Sequence, residues 1–465
     1  MIRVGCPTSE NTLTRRSRNQ SSRRAERDDD YGQNRVAGIL LSSLLFAEPR
    51  MSTIRAALSL RRIGQFSRVQ SPSVRTLFAL VLAHALLDSY GTVWPIFKKL
   101  ANLNLVWAGL IVTVATSLTA ATQPLFGIWA DRGHRRQFIL LGTALATAGM
   151  LLGPLGIYRE ALGEVWAYLL MFLVMLVVRF GQAMFHPAGA SVAGGLVEGH
   201  RSTLVALFIA GGMMGFGTGQ MIFSAAYQQL DGHTEYLLLP AALLFIFLYR
   251  WCRPRQTDGH QPLKLKETLA GLAHVRLPLF ILYLILVLLS AQTIGFYFLL
   301  PEFLELRGYP TWMVNGGGVL LFVIGSVLIA VPAGRLSDRF GRFRVLAAIL
   351  VLMLVSYYVL LLAPSMPVAA FAGLCIITGG FIGTGNPMGV ALGQQLLPHS
   401  ASVVSGILMG LAWSVGGTAP AIVACLAQIE SLGLIGALAM LGAANVLAIV
   451  LAMCLPFVAR RVKVH

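Results

Sequence analysis

Charge is what this chain has least of. Only 12% of its residues are Asp, Glu, Lys or Arg, about half the roughly 25% of an ordinary soluble domain. With 56% of the residues hydrophobic, that scarcity excludes a water-soluble globule. Cysteine is sparse as well: Cys6, Cys252, Cys375, Cys425 and Cys454 are scattered without paired or metal-ligand spacing, so neither a disulfide framework nor a zinc module is expected. The sequence has no G-x-x-x-x-G-K-[ST] phosphate cradle, no spaced cluster of metal ligands and no nucleophile with a neighbouring base. These absences argue against an enzyme and against transport driven directly by a nucleotide. No cofactor and no metal are expected.

What the chain does have is long apolar runs. From about Thr76 to Val458 each run reaches the roughly 20 residues that a helix needs to cross hydrocarbon, where only helices and closed barrels satisfy their backbones. The runs are too long and too rich in leucine for barrel strands. The expected fold is an all-α membrane protein of twelve spans, near 74–97, 106–128, 137–157, 165–190, 202–225, 236–251, 277–300, 312–334, 344–363, 367–391, 401–427 and 431–458.

Six spans fall on each side of a polar stretch, which gives an N-terminal half at 73–251, a cytoplasmic central loop at 252–275, a C-terminal half at 276–458 and a basic tail at 459–465. With the N-terminus inside, the inner loops and tail from residue 76 onward hold 17 Lys and Arg, against 4 outside (Lys98, Lys99, Arg159, Arg307). The positive-inside rule then places both termini in the cytoplasm of a multi-pass inner (plasma) membrane protein. The net charge of +17 is mostly this topology signal, so no nucleic-acid partner is expected.

Residues 1–72 stand apart, with thirteen Arg and six acidic residues, and their Ser/Asn/Gln-rich run has the composition of a disordered cytoplasmic arm. The apolar run Val36–Ala47 is too short to span. Met51, just after it, is a candidate second start of translation. Arg55–Arg68 has the character of a basic amphipathic segment suited to an anionic leaflet.

One pattern occurs twice, each time directly after a long apolar run. The first copy contains Gly127, Asp131, Arg132, Arg135 and Arg136, and the second Gly334, Asp338, Arg339, Gly341 and Arg342. Further along, His186-Pro187 stands opposite Asn386-Pro387, and Gly217-Thr218 opposite Gly417-Thr418, at an offset of 200. The chain reads as two copies of one six-helix unit, the build of secondary transporters whose substrate path lies between the repeats.

The doubled loop resembles the G-x-x-x-D-R-x-G-R-R signature of the major facilitator superfamily, with His134 in place of the usual glycine in the first copy. The resemblance implies twelve helices in two pseudo-symmetric halves and gating loops on the cytoplasmic side. Gly127 would permit close helix approach, and Asp131 would face a helix N-terminus. Ala83-His84 through Asp88, Tyr90, Gly91 and Pro95, together with Phe185-His186-Pro187, are similar to the fosmidomycin-resistance-type branch, whose members export drugs or small metabolites. Arg179-x-x-Gln182 matches a signature of proton-coupled members. In the fifth helix Gly211, Gly215, Gly217 and Gly219 match the antiporter motif, but Phe216 stands where that motif has proline.

Charges inside the bilayer are costly, so each is a functional candidate. Asp88 lies well inside the first span with His84 one turn before it, on one face and able to share a proton. Arg179, Gln182 and His186 form one stripe of the fourth helix. Asp88, His84, Arg179 and His186 are therefore the expected proton-coupling group, with Arg179 either binding an anion or tuning the carboxylate. A hydrogen-bonded strut at Asp88, and a histidine that only satisfies a carbonyl loosened by Pro187, are the structural alternatives. Gln182, Gln292, Thr293, Tyr297, Asn315, Asn386 and Trp413 are the expected substrate-cavity residues. Glu302, Glu305 and Arg307 are expected to be solvated at an outer helix end.

The expected activity is secondary, proton-coupled efflux (antiport) of a drug or small anionic metabolite by alternating access, in a monomer whose partners are substrate, protons and lipid. Proton-linked uptake is the alternative, and a non-transporting receptor the remote one.

Overall fold

The computed structural model describes residues 71–197, 201–252, 265–397 and 401–461. The arm at 1–72 lies outside the described residues except for its last two, as do half of the central loop and the end of the tail. Among the described residues twelve helices are long and apolar enough to cross a membrane: α1 Ser73–Leu100, α2 Leu105–Trp129, α3 Arg132–Ile157, α4 Glu164–Gly195, α5 Leu204–Gln229, α6 Thr234–Trp251, α7 Arg276–Leu306, α8 Met313–Phe340, α9 Arg342–Leu362, α10 Val368–Leu396, α11 Val403–Ala427 and α12 Gly433–Ala459. They match the spans expected from the sequence. A further short helix, Leu265–His274, precedes α7.

Within each half the helices approach through glycine. On α5, Gly211, Gly215 and Gly219 recur every four residues and sit against the carbonyls of Val81, Ala85 and Ser89 on α1, where an added Cβ would overlap backbone. These three glycines thus form a small-residue seam of the kind that lets membrane helices touch without a hydrophobic drive, whereas Gly217 faces Leu320 and Val323 of α8. The C-terminal half has its own seam, with Gly325 on α8 against the Ile376 carbonyl and Gly379 on α10 against the Phe322 backbone. Gly379 is the position equivalent to Arg179, so the second half uses for packing what the first half uses for charge.

The halves meet along three lines. On α2 and α11, Ser117 Oγ donates to the Ser414 carbonyl at 2.7 Å, and Ser414 Oγ donates back to the Ser117 carbonyl at 2.6 Å. Nearby, the Ala421 amide donates to Thr113 Oγ1 at 3.1 Å. On α5 and α8, Ser224 Oγ donates to the Asn315 carbonyl at 2.9 Å, beside a kink where Gly316 adopts φ +112° against Gln220 and Met221. On α1 and α7, Lys98 pairs with Glu302, and Lys99 with Glu305 at 2.7 Å. All these bonds lie between the helix midpoints and the end of the molecule that carries Lys98. Toward the other end, which carries the two Asp-Arg loops, α2 and α11 remain in van der Waals contact, with Pro124 4.0 Å from a Cβ built on Gly406 and the Ala120 carbonyl 3.4 Å from one built on Gly410.

The α1–α7 contact corrects one expectation. Glu302 is not a solvated helix-end acid: Lys98, whose side chain is 1% exposed, is its partner and also lies 4.5 Å from the Phe298 ring centroid. Arg307 donates to the Leu361 carbonyl. Glu305 is paired with Lys99 but stays 60% exposed.

The doubled loops also differ from their expected roles. Gly127 meets only Pro187 of its own half, at ordinary contact distance, and Gly334 faces open space, so neither glycine serves close packing in this conformation. The glycines that the turns require are Gly133 (φ +106°) and Gly341 (φ +90°), in a backbone region that L side chains rarely adopt. In the first copy the left-handed residue sits one position earlier, which frees position 134 to be histidine. Arg136 turns back to its own half: its Nε and Nη2 donate to the Cys252 and Tyr249 carbonyls at 3.0 and 2.9 Å, capping the end of α6. Asp338 forms an exposed pair with Arg342 at 3.6 Å. Arg132 and Arg339 are exposed, and the Asp131 side chain lies outside the described set.

Candidate functional site

The site is built on two apolar helices that each supply polar residues to one face. From α1 come His84 and Asp88, one turn apart, and from α4 come Arg179, Gln182 and His186. The structure brings all five together. His84 Nε2 is 3.2 Å from Asp88 Oδ2, and His186 Nε2 is 3.5 Å from Asp88 Oδ1. Gln182 Nε2 donates to Asp88 Oδ1 at 3.2 Å, while its amide oxygen accepts from Arg179 Nη1 at 2.9 Å. The guanidinium therefore reaches the carboxylate through one amide, in a chain that orients every member.

Four neighbours hold this network in place. The Phe208 carbonyl on α5 lies 2.7 Å from His84 Nδ1. A carbonyl only accepts, so Nδ1 carries the hydrogen and Nε2 is the atom left to face Asp88. The Phe208 ring stacks on His84 at a centroid distance of 4.1 Å, with Phe185 at 5.4 Å on another side. Gly212 lies directly against the pair, and a Cβ there would overlap His84 Nε2 and come within 2.7 Å of Asp88 Oδ2. Gly91 makes the same room for the Gln182 amide.

Burial grades across the site. The His84 side chain is 7% exposed, Asp88 15% and His186 33%, so access to the carboxylate runs past His186. Arg179 Nε is buried with no partner, an unmet donor of a permanently charged group.

The C-terminal residues expected at the cavity are not part of this cluster. Gln292 is fully buried and accepts a hydrogen bond from Asn445 on α12. Thr293 Oγ1 donates to the Leu289 carbonyl in its own helix at 2.8 Å. Tyr297 lies 5.4 Å, centroid to centroid, from Phe216, so the phenylalanine that replaces the motif proline touches the other half. Asn315 offers its carbonyl to Ser224. Asn386 has a buried Oδ1 with no partner, and Trp413 is 39% exposed. Sequence reading missed Phe208, Gly212 and Gly91, because a ring and two glycines carry no sign of which polar group they will meet.

The sequence profile of the Major Facilitator Superfamily matches residues 76–420. The chain belongs to that superfamily. As a Major Facilitator protein it is a secondary transporter of small molecules, not an enzyme. It is 22% identical over 381 residues to the fosmidomycin resistance protein of Escherichia coli (strain K12), covering 77% of this chain and 88% of that protein. It is 25% identical over 369 residues to YfnC of Bacillus subtilis (strain 168), an uncharacterized MFS-type transporter, covering 75% and 86%. Two solved structures share the Major Facilitator fold. The nucleoside transporter NupG superposes with a TM-score of 0.63 at 15% identity, over 84% of this chain and 99% of that one. A bacterial homolog of the human lysosomal transporter Spinster, in an inward-facing and unoccupied conformation, gives 0.62 at 16% identity, over 84% and 98%.

Proposed function

We propose that this transporter expels a small anionic compound in exchange for protons. The observation that carries the reading is the Asp88 carboxylate held between two imidazoles. With His84 Nδ1–H committed to Phe208, the 3.2 Å contact between Nε2 and Oδ2 is favourable only while one proton lies between them, on either atom. Loss of that proton leaves a lone pair against a carboxylate, a state that burial disfavours. Arg179 senses the change through Gln182, and its unpartnered Nε is the donor that would hold the substrate's negative group. The protonation state of Asp88 and the occupancy of Arg179 are thereby linked through one amide. The similarity to a fosmidomycin resistance protein supports export of a drug.

The excess of Lys and Arg in the loops at the Asp131/Asp338 end supports a cytoplasmic location for that end and for both termini, in the inner (plasma) membrane. On that orientation the ion pairs of Lys98 and Lys99 with Glu302 and Glu305 join the halves at the outer side. The halves 73–251 and 276–458 rock about their shared interface, and the chain works as a monomer.

The test is substrate-driven proton flux in proteoliposomes enclosing a pH dye, with fosmidomycin first on a panel of anionic toxicants and nutrients. Wild type is expected to acidify the compartment that loses substrate. Coupling through Asp88 is refuted if Asp88→Asn exchanges protons for substrate at the wild-type rate.

A further inference from the structure

We infer that His84, Asp88 and His186 together form a binding site for a divalent transition cation, for which zinc and cobalt are the probes. The donor set is two imidazole nitrogens and a carboxylate. One donor atom from each residue lies within 4.8 Å of the others. Ligands about 2.0–2.1 Å from a tetrahedral zinc ion sit roughly 3.3 Å from one another, and the two imidazole-to-carboxylate separations are 3.2 and 3.5 Å. The two contacts run to different carboxylate oxygens, so a small turn of Asp88 together with a closer approach of the two imidazoles completes the set. His186, one third exposed, is the side chain with room to move.

The surroundings suit a ligand set as well. A metal-binding histidine almost always donates its other ring N–H to a backbone carbonyl or carboxylate, which fixes the tautomer and turns the lone pair toward the ion. His84 does this through Phe208. Gln182 donates to Asp88 Oδ1, the outer hydrogen bond that orients a ligating carboxylate. Two histidines and one carboxylate leave a coordination position free for water or a substrate oxygen, as in exchangeable sites and unlike closed structural ones. The single negative charge of Asp88 offsets half that of the dication, and Arg179 beyond Gln182 opposes it. The site therefore binds reversibly.

The binding claim stands on geometry alone. Its consequence for transport rests on the proton-coupling reading: ion and proton claim the same Nε2 lone pair and exclude each other, so zinc on the loop side slows exchange.

The experiment titrates cobalt into the purified full-length transporter and reads its ligand-field absorption in the visible. One cobalt per chain is expected. His186→Gln and Asp88→Asn are each expected to weaken binding by more than the roughly 10–100-fold that loss of an outer partner costs. His134→Gln and His233→Gln leave it unchanged. Should Asp88→Asn fail to fold, as judged by its melting curve, His186→Gln carries the test. Absence of a cobalt spectrum in wild type, or unchanged affinity in His186→Gln, overturns the site. If cobalt binds as expected while zinc leaves proton-linked exchange untouched, the metal site stands and the coupling reading falls.

Discussion

The ion pair between Lys98 and Glu302 should set how much of the protein rests closed at that end. Lys98 is buried, with a side chain 1% exposed, and Glu302 is 22% exposed, so Glu302→Gln strands an ammonium group in an apolar contact. Removing one partner of a buried pair costs about 3–5 kcal/mol, and the residual exposure of Glu302 places this case near 3. The pair spans the two halves and exists only while they touch at this end, so the whole cost falls on the conformation closed there. At about 1.4 kcal/mol per factor of ten, the closed-to-open ratio falls roughly 100-fold. Spin labels at Leu162 and Leu306, exposed residues on opposite halves at that end, would report the change as a longer distance by pulsed electron resonance. Cys425 and Cys454, both free and exposed, would first be replaced. The double exchange Lys98→Glu with Glu302→Lys is expected to restore much of the short distance. A distribution in Glu302→Gln identical to wild type, or a double exchange as open as the single, would refute a latch at this contact.

Three further outcomes follow from the geometry. Gly212→Ala places a methyl against His84 Nε2 and Asp88 Oδ2 and is expected to abolish proton-linked exchange in reconstituted vesicles, with some loss of melting temperature because His84 is locked between Phe208 and Phe185. Gly215→Ala instead drives a methyl into the Ala85 carbonyl, and overpacking of this kind costs about 1–3 kcal/mol or more, seen as a lowered melting midpoint in detergent. Burial pushes the Cys252 thiol from 9.0 up to about 12, against a smaller lowering by Arg136. The folded protein therefore keeps a proton that the unfolded chain releases, and this contribution to stability is full below pH 9 and declines as pH rises toward about 12. Unfolding at stepped alkaline pH should show Cys252→Ala losing less stability than wild type over that window, and equal losses would contradict the burial.

The twelve helices were legible because hydrocarbon leaves the backbone no choice, so twenty apolar residues in a row state a helix whatever their neighbours. His84 with Asp88, and Arg179 with Gln182 and His186, were legible for a related reason: charge is expensive in lipid, and helical spacing reveals which costly residues share a face. What brings the two stripes together was not legible. That depends on how close α1, α4 and α5 lie, which is set by Gly212, Gly91 and the Gly211/Gly215/Gly219 seam, and no glycine announces its partner. Lys98 and Glu302 sit 204 residues apart in sequence, and each alone reads as a helix-end charge in water. The first loop shows a subtler limit. Matching the motif letter by letter makes His134 a departure, whereas the backbone moves the left-handed turn to Gly133.

The paired serines of α2 and α11 have a mechanical consequence. Each donates to the other's backbone, so this pair of bonds is the same viewed from either half and by itself gives no preferred direction of tilt. The asymmetry is supplied elsewhere, by the Ala421–Thr113 bond on the same two helices and by the two rims. On one rim stand Lys98 and Lys99 with their acids, and on the other the Arg-rich turns. Charge at the ends, many residues from the substrate, then sets which side of the membrane the protein waits on.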